Sequence, residues 1–589
     1  MHKIEKSNYV SRVASFTATL SALVCLASCS TSEYHRQADS ENYEILRRVE
    51  AQVFGRTNEF SIDTRYSARE PKEVEPSEII RERMVGGDLR LTLDDALEIA
   101  FENSRNFQRE KENLYLSALA LSDRQNVFGS IWSGSSNPDI ERDSSGDVKF
   151  QTRQRSSLGI SKRVFQTGGV VTAQLANDIL RFFTGSPRRS VVNTLSLSLT
   201  QPLLRGAGQY NTLANNLTQA ERNVIYQIRE FTQFQKGFAV DVVSDYLDLL
   251  GRKNTIRNNY ANYLSRQIAT LRAEKRIPTD GQQPYFLARQ AELRQKNTYI
   301  DSVITYQRVL DDFKDRLAIP LSISIYLDDK PFDLLESTGM ADVEFDAGTA
   351  YRLAIERHLP TLNEIDRFED AKRRILVAAN ALRPGLDISG SAGLASNAPD
   401  NYWEFNADNV RANMGLVIDL PLNRVNQRNA YRSALIDFER QIRSLGQTLD
   451  NRRDVINQGL RTLRQRRLNY ENNRLGVEIA ERRVNEQKML LEAGRSDQQT
   501  LIFAQNDLVD QQNSRVSAIV AFQQTLLQLL VDMGVINSQA PNFWLRPQYD
   551  TQPTEAAPLV SNELPAPDLS VSTNQIMSPL QLFQEGPQP

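Results

Sequence analysis

Two stretches of this chain carry helical periodicity for about 70 residues each, from about Leu203 to Arg276 and from about Leu422 to Ala493. At about 1.5 Å per residue each makes a rod of roughly 105 Å. Neither rod can be buried on all sides. Leu, Ile, Val and Tyr recur at spacings of three and four amid Asn, Gln and Arg, and Asn451–Arg483 keeps only a thin apolar seam of Val455, Ile456, Leu460, Leu463 and Leu468. A helix this polar touches its neighbours along narrow strips and water elsewhere. Such rods suit a wall one helix thick; a plain coiled coil has the same seams and stays open on the helices alone.

The rods belong to a duplicated unit. Leu93–Asn103 matches Phe345–Arg357, best at Ala96/Ala350, Ala100/Ala354 and Glu102/Glu356. Leu195–Leu204 matches Met414–Asn423, each an alternating apolar run that ends in Pro-Leu before a rod begins. Arg289–Leu293 parallels Ala504–Leu508. Three pairs in one order predict an internal repeat of roughly 220–250 residues, each copy reading helix, strands, long helix, turn, helix.

The strands alternate with period two. Leu195, Leu197 and Leu199 interleave with Ser196, Ser198 and Thr200; Ala412, Met414, Leu416, Ile418 and Leu420 interleave with Asn413, Gly415, Val417 and Asp419; and Leu386, Ile388, Ala392 and Leu394 interleave with Asp387, Ser389, Ser391 and Gly393. This puts one face on lipid or core and the other in water. Half-buried strands of a soluble sandwich fit the alternation too. The connecting stretch Asn397–Asn409, with Tyr402, Trp403 and Phe405, favours lipid, as an interfacial aromatic girdle would. Residues 147–180 are expected to add one or two strands around Thr167-Gly-Gly169.

Lengths relate the helices. Shorter helices are expected over about Leu93–Val127, Gln282–Leu317, Ala347–Leu382 and Asp497–Met533, each of roughly 36 residues or about 54 Å. Two of them end to end equal one rod. A wall of even height then needs two long and two composite rods per chain, and four rods enclose no wide pore, so several chains must assemble.

Lys3, Lys6 and Arg12 precede the apolar run Val13–Leu26, the layout of a secretory signal. Its end, Leu26-Ala27-Ser28-Cys29, resembles the bacterial lipobox, which implies cleavage before Cys29 and lipid on that residue; an ordinary signal with a chance cysteine is the alternative. More than one acyl chain is what stable anchoring requires. Ser30 in place of an aspartate implies, by the same resemblance, sorting to the outer membrane. The expected organisation is a signal peptide at 1–28, a lipidated tether at 29–88 with a short amphipathic helix at Tyr43–Phe54, repeats at 89–340 and 341–547, and a disordered Pro/Gln-rich tail at 548–589.

Composition removes other classes. Lys+Arg number 70 against 73 Asp+Glu, a net charge of −3, so no basic nucleic-acid surface dominates. Three histidines and two cysteines leave no framework for a His/Cys metal site or a disulfide scaffold. Asp94-Asp95 and Asp311-Asp312 sit near expected helix ends, where Asp94-Asp95 suits the N-terminal dipole, and Ser/His chemistry in the processed chain has only His358 to call on beyond His35 in the tether. No catalytic residues, cofactor or metal are expected.

In this order and spacing the chain resembles the outer-membrane efflux (TolC-type) channel family, over about residues 88–547. The resemblance rests on Leu91–Ala100, Leu197–Gly206 and Leu490–Ser496, with the helix closures Phe313–Leu321 and Leu529–Val535. It implies an α+β membrane protein, mainly α: a homotrimer whose 12-stranded outer-membrane β-barrel continues into a long periplasmic α-helical barrel. Four strands per protomer agree with two per repeat when the extra hairpin near Gly168 is set aside. The implied role is a passive exit duct docking a periplasmic adaptor and an inner-membrane pump, anchored in outer-membrane lipid through Cys29.

The resemblance also places sites. The adaptor would meet the helix reversals at Arg276 and Gly281 and at Gly494, Arg495 and Ser496; the first departs from the family in Pro278 and a displaced glycine. Some relatives carry an aspartate ring six and nine places beyond the second glycine. Those positions here are Thr500 and Phe503, so an acidic periplasmic gate would rely on Asp497 or Asp507. A periplasmic adaptor would have a single hairpin flanked by halves of a β-domain, and a lipid-anchored coiled-coil spacer would leave the alternating strands unexplained.

Overall fold

The computed structural model describes residues 31–143, 149–182, 189–208, 210–340, 345–396, 404–420 and 422–546. The expected signal peptide, Cys29, Tyr402, Trp403 and the tail from 548 lie outside these residues. In chain order the first elements are α1 (Thr31–Phe54), α2 (Pro76–Arg83), β1 (Gly87–Leu91), α3 (Leu93–Asn103) and α4 (Arg105–Asn126). Four strands follow, β2 (Ser130–Asp143), β3 (Lys149–Arg163), β4 (Val170–Phe182) and β5 (Arg189–Pro202). Next come α5 (Thr212–Lys275), the single turn α6 (Ile277–Asp280), α7 (Gln283–Arg316), β6 (Ile323–Leu327) and α8 (Lys330–Thr338). The last are α9 (Ala347–Arg357), α10 (Leu359–Ala381), β7 (Gly385–Ser396), β8 (Phe405–Asp419), α11 (Val425–Glu492) and α12 (Gln498–Asp532).

The chain forms two compact units. One takes residues up to Ala68, Arg109–Ile228 and Arg367–Ile442; the other takes Arg69–Gln108, Arg229–Asp366 and the chain from Arg443.

The first unit holds an antiparallel sheet in the order β2-β3-β4-β5-β7-β8. Its register sorts side chains by chemistry. One row across all six strands reads Trp132, Ile160, Ala173, Leu197, Ala392, Ala412; the next on that face reads Gly134, Leu158, Leu175, Leu195, Leu394, Val410. The intervening row on the opposite face reads Ser133, Gly159, Gln174, Ser196, Gly393, Arg411. Because side chains alternate with period two, a slip of one residue would exchange the faces. The apolar face is also the more exposed one: Trp132, Leu158, Leu195, Leu197, Val410 and Met414 are each 50% or more accessible.

This corrects the strand count. Four strands were expected, with a hairpin near Gly168 set aside. The sheet has six, because 130–182 supplies three strands paired without a bulge, so the count of twelve for three copies no longer follows.

The rest of the first unit packs helices. The N-terminal segment is helical from Thr31 rather than from Tyr43, and it is seated: Asn42, Ile45 and Leu46 are buried, and the Tyr115 hydroxyl donates to Asp39 at 2.6 Å. Asp370, fully buried, ion-pairs with Arg222 and with Arg373 at 3.1 Å, and accepts from the Tyr226 hydroxyl at 2.7 Å.

The second unit is a helical core with the parallel pair β1–β6. The Tyr246 hydroxyl lies between the carbonyl oxygen of Leu91 at 2.9 Å and the N–H of Asp328 at 3.0 Å. The apolar seam of α11 is where the pattern put it, with Ile456, Leu460 and Leu463 buried, while Leu468 is 59% exposed and Val455 also faces out. Gly459 lets the Leu529 side chain come close: a Cβ there would lie 2.9 Å from Leu529 Cδ1.

The two expected copies agree in packing and capping. Ala96, Ala100, Ala350 and Ala354 are all fully buried. Thr92 and Asp95 form a capping box, and Asp346 accepts from the Thr349 N–H at 3.0 Å, so each copy opens on a capped helix. Each expected first helix is in fact two, broken at Ser104 and at His358, whose N–H groups still reach Ala100 and Ala354. The closing turns match as well. Gly534 (φ +73°) ends α12 with Val535 N–H on the Leu530 carbonyl oxygen, and Ala318 (φ +57°) ends α7 with Ile319 N–H on that of Lys314.

Candidate functional site: the helix reversals and the face beyond them

Both reversals lie in the second unit. At the first, α5 stops at Lys275 and the Arg276 carbonyl oxygen accepts from Thr279 at 3.0 Å and Asp280 at 2.8 Å, closing the single turn that holds Pro278. Gly281 (φ +77°) then turns the chain into α7. The second reversal is more regular. Arg495 N–H reaches the Leu490 carbonyl oxygen at 2.8 Å and Gly494 N–H that of Leu491 at 3.1 Å, the paired bonds of a Schellman ending with glycine in the left-handed region. Nothing lies within 4 Å of a Cβ built on Gly494, so conformation alone asks for glycine there. Ser496 ties the turn back to α11 through Gln487 at 2.9 Å, and the Arg276 and Arg495 side chains face solvent.

Asp497 caps α12: its carboxylate accepts from the Thr500 N–H at 2.7 Å, which holds its pKa below the usual carboxylate range. Thr500 is half-buried behind that cap, and Phe503, 53% exposed, stands out from the helix. Asp507 is paired with Arg483 of α11 at 2.7 Å. Each of the two acids offered for a gate thus has a local partner. On the same helical face, three residues beyond Asp507, lies Asp510, whose pKa is pushed up by burial and by the Asp507 charge.

Sequence reasoning passed over Asp510, and also the seam that joins α5 to α12. Asn258 donates to Asn513 at 3.0 Å, Asn513 to Asn259 at 3.2 Å, and Arg266, 2% exposed, to Asn506 at 2.8 Å. The signal was available: Asn258, Asn262 and Arg266 recur four apart along the rod. A cleft of about 890 Å³ opens beside this seam, lined by Asp248, Arg252, Asp301, Arg466, Asp510 and Asn513 among others. Among the described residues no cluster could hold a metal ion, and no helix is long and apolar enough to cross a membrane.

The sequence matches no protein-family model and no curated protein. Solved structures do match. Similar folds occur in CusC, described for transmembrane channel formation (TM-score 0.56, 11% identity, 75% of this chain and 92% of that one). The CmeC outer membrane channel of Campylobacter jejuni has TM-score 0.54 and 12% identity, over 75% of this chain and 85% of that one. The outer membrane protein VceC of Vibrio cholerae has TM-score 0.55 and 12% identity, over 75% and 96%. At these identities the likeness is one of fold: a mainly helical chain with a sheet, built like outer-membrane channels.

Proposed function

We propose that this chain is the outer-membrane channel of a tripartite efflux or export system. Three copies close their sheets into a barrel and their helices into a periplasmic tunnel, and solutes leave through a wet path without covalent chemistry. The observation that carries this reading is the two-faced sheet. An exposed apolar face spans six strands while Ser, Gly, Gln and Arg fill the other, the arrangement of a wall with lipid outside and water inside. Cys29 carries the lipid that anchors the N-terminus in the same membrane. The reversals at Arg276 and Gly281 and at Gly494, Arg495 and Ser496 dock the adaptor, which joins the duct to an inner-membrane pump. Phe503, Asp507 and Asp510 face the passage near those tips.

The experiment is conductance in planar bilayers with a pair of neighbouring lysine variants. Leu197→Lys places a charge on the lipid face and costs about 2–4 kcal/mol, abolishing assembly. Ser198→Lys, one residue on, leaves the trimer intact and shifts ion selectivity toward anions. Well-folded protein that forms no channel, or equal tolerance of both lysines, would refute the reading. Radiolabelled palmitate on the native chain but not on Cys29→Ser tests the anchor separately.

A further inference from the structure

We infer that the hairpin β2–β3 belongs to the membrane wall, so that three copies close an eighteen-stranded barrel, β8 of each copy pairing with β2 of the next. This rests on the channel reading above and adds the identity of the pairing edges. The sheet does not stop at β4. Fourteen residue pairs join β2 to β3 and thirteen join β3 to β4. The apolar face continues onto the hairpin in Trp132, Leu158 and Ile160, and the opposite face continues in Ser133, Ser135, Ser157 and Gly159. Where the first face turns polar, its groups satisfy each other: Ser136 bonds Ser156 at 3.1 Å, and Asn177 bonds Asn193. The charged pairs Arg155–Asp139 and Arg153–Asp178 are both on the second face, where water would be.

Edges and parity then choose the partner. Within the described chain, β2 and β8 each have one neighbour, so each leaves a row of backbone donors and acceptors open. Hydrocarbon tolerates no open sheet edge, and strands of 14 and 15 residues in the hairpin exceed the roughly 9–11 that a tilted span needs. Because six is even, β2 and β8 run in opposite directions, and head-to-tail joining keeps every pair antiparallel. Three sheets of six strands give eighteen. Diameter grows roughly linearly with strand number, so the barrel is about one and a half times as wide as one of twelve.

The test is disulfide trapping in native membranes. Asn413→Cys on β8 is combined in turn with Ile131→Cys, Ser133→Cys and Ser135→Cys on β2, and in a second panel with Thr172→Cys, Gln174→Cys and Ala176→Cys on β4; every cysteine is on the same face. Oxidation is expected to give dimer and trimer ladders from the first panel only. Ladders from the second panel, in a protein that still conducts, would mean four strands per copy and overturn the inference while leaving the channel standing. Ladders from neither panel in a conducting protein would also overturn it; silent bilayers with no ladder would sink both. An independent readout uses the Trp403→Phe/Trp544→Phe protein, which keeps Trp132 as its one tryptophan. Bromine on the lipid chains should quench most of its emission, and unquenched emission would place the hairpin outside the bilayer.

Discussion

Arg266 on α5 donates from Nη2 to Oδ1 of Asn506 on α12 at 2.8 Å, with its guanidinium almost wholly out of water. Burial lowers the Arg266 pKa to about 10, which leaves it charged at neutral pH with amide and carbonyl acceptors and, among the described residues, no carboxylate. Asn506→Ala, which strands that charge, is expected to cost about 1–3 kcal/mol. Arg266→Met/Asn506→Leu, which removes both polar groups, should be less destabilised than the single Asn506→Ala. Thermal melting of the detergent-solubilised single and double variants reads the difference.

Ala318 and Gly534 close equivalent helices with the same left-handed turn, and only one of them is a glycine. An L-residue pays about 1–2 kcal/mol in that region. Ala318→Gly is therefore expected to stabilise the protein by about 0.5–1 kcal/mol, after the entropy glycine adds to the unfolded chain. Gly534→Ala should be far more damaging, because its Cβ would fall 2.5 Å from the Arg357 carbonyl oxygen. A lowered melting temperature for Ala318→Gly would contradict this account.

Asp370 holds two arginines and a tyrosine hydroxyl in a fully buried site. Asp370→Asn removes the buried carboxylate that ion-pairs with Arg222 and Arg373 and should cost about 3–5 kcal/mol. Tyr226→Phe removes the hydroxyl's bond to Asp370 and the one it accepts from Arg222 Nε, and should cost about 1–2 kcal/mol. Equal losses for the two variants in chemical denaturation would show that the charge is not the larger contribution.

His358 sits at the break between α9 and α10 with Nδ1 2.9 Å from Thr361 Oγ1, and burial, followed by the charges of Arg452 and Lys236, lowers its pKa to about 3. The unfolded chain binds its proton near pH 6.5 and the folded chain only near pH 3. Between those values the unfolded state holds the extra proton, so this residue's contribution is complete above pH 6.5 and is lost as pH falls toward 3. His358→Gln should flatten that part of the stability profile by up to about 1.4 kcal/mol per pH unit. Parallel profiles for the two proteins would remove His358 as the cause.

The helices were legible because length and seam survive any local error. The expected rods at 203–276 and 422–493 are α5 and α11, the first starting nine residues late at Thr212 and the second three residues late at Val425, and capping at Thr92 and Asp346 marks where α3 and α9 begin. The strand β2 was not legible, whereas β3 and most of β4 fall within 147–180, where one or two strands were expected. Ser133–Asn137 and Gln154–Ser157 carry no apolar alternation, since one face of such a strand is wet and the other is covered here by only a few large side chains. α1 was read short because Thr31–Asn42 shows almost no apolar face; Tyr115 and its neighbours on α4 supply the partner that a local pattern cannot reveal. At the tips, glycines announced both reversals, whereas the ion pair of Asp507 with Arg483 depends on two helices meeting.

The polar face of the sheet sets arginine beside aspartate at Arg155–Asp139 and again at Arg153–Asp178. In a barrel closed from this sheet, opposed charges that close together would cancel beyond about one Debye length and gather neither cations nor anions from a distance. A solute leaving through it would be sorted by bulk instead of by sign, and raising the salt concentration should change its exit rate very little.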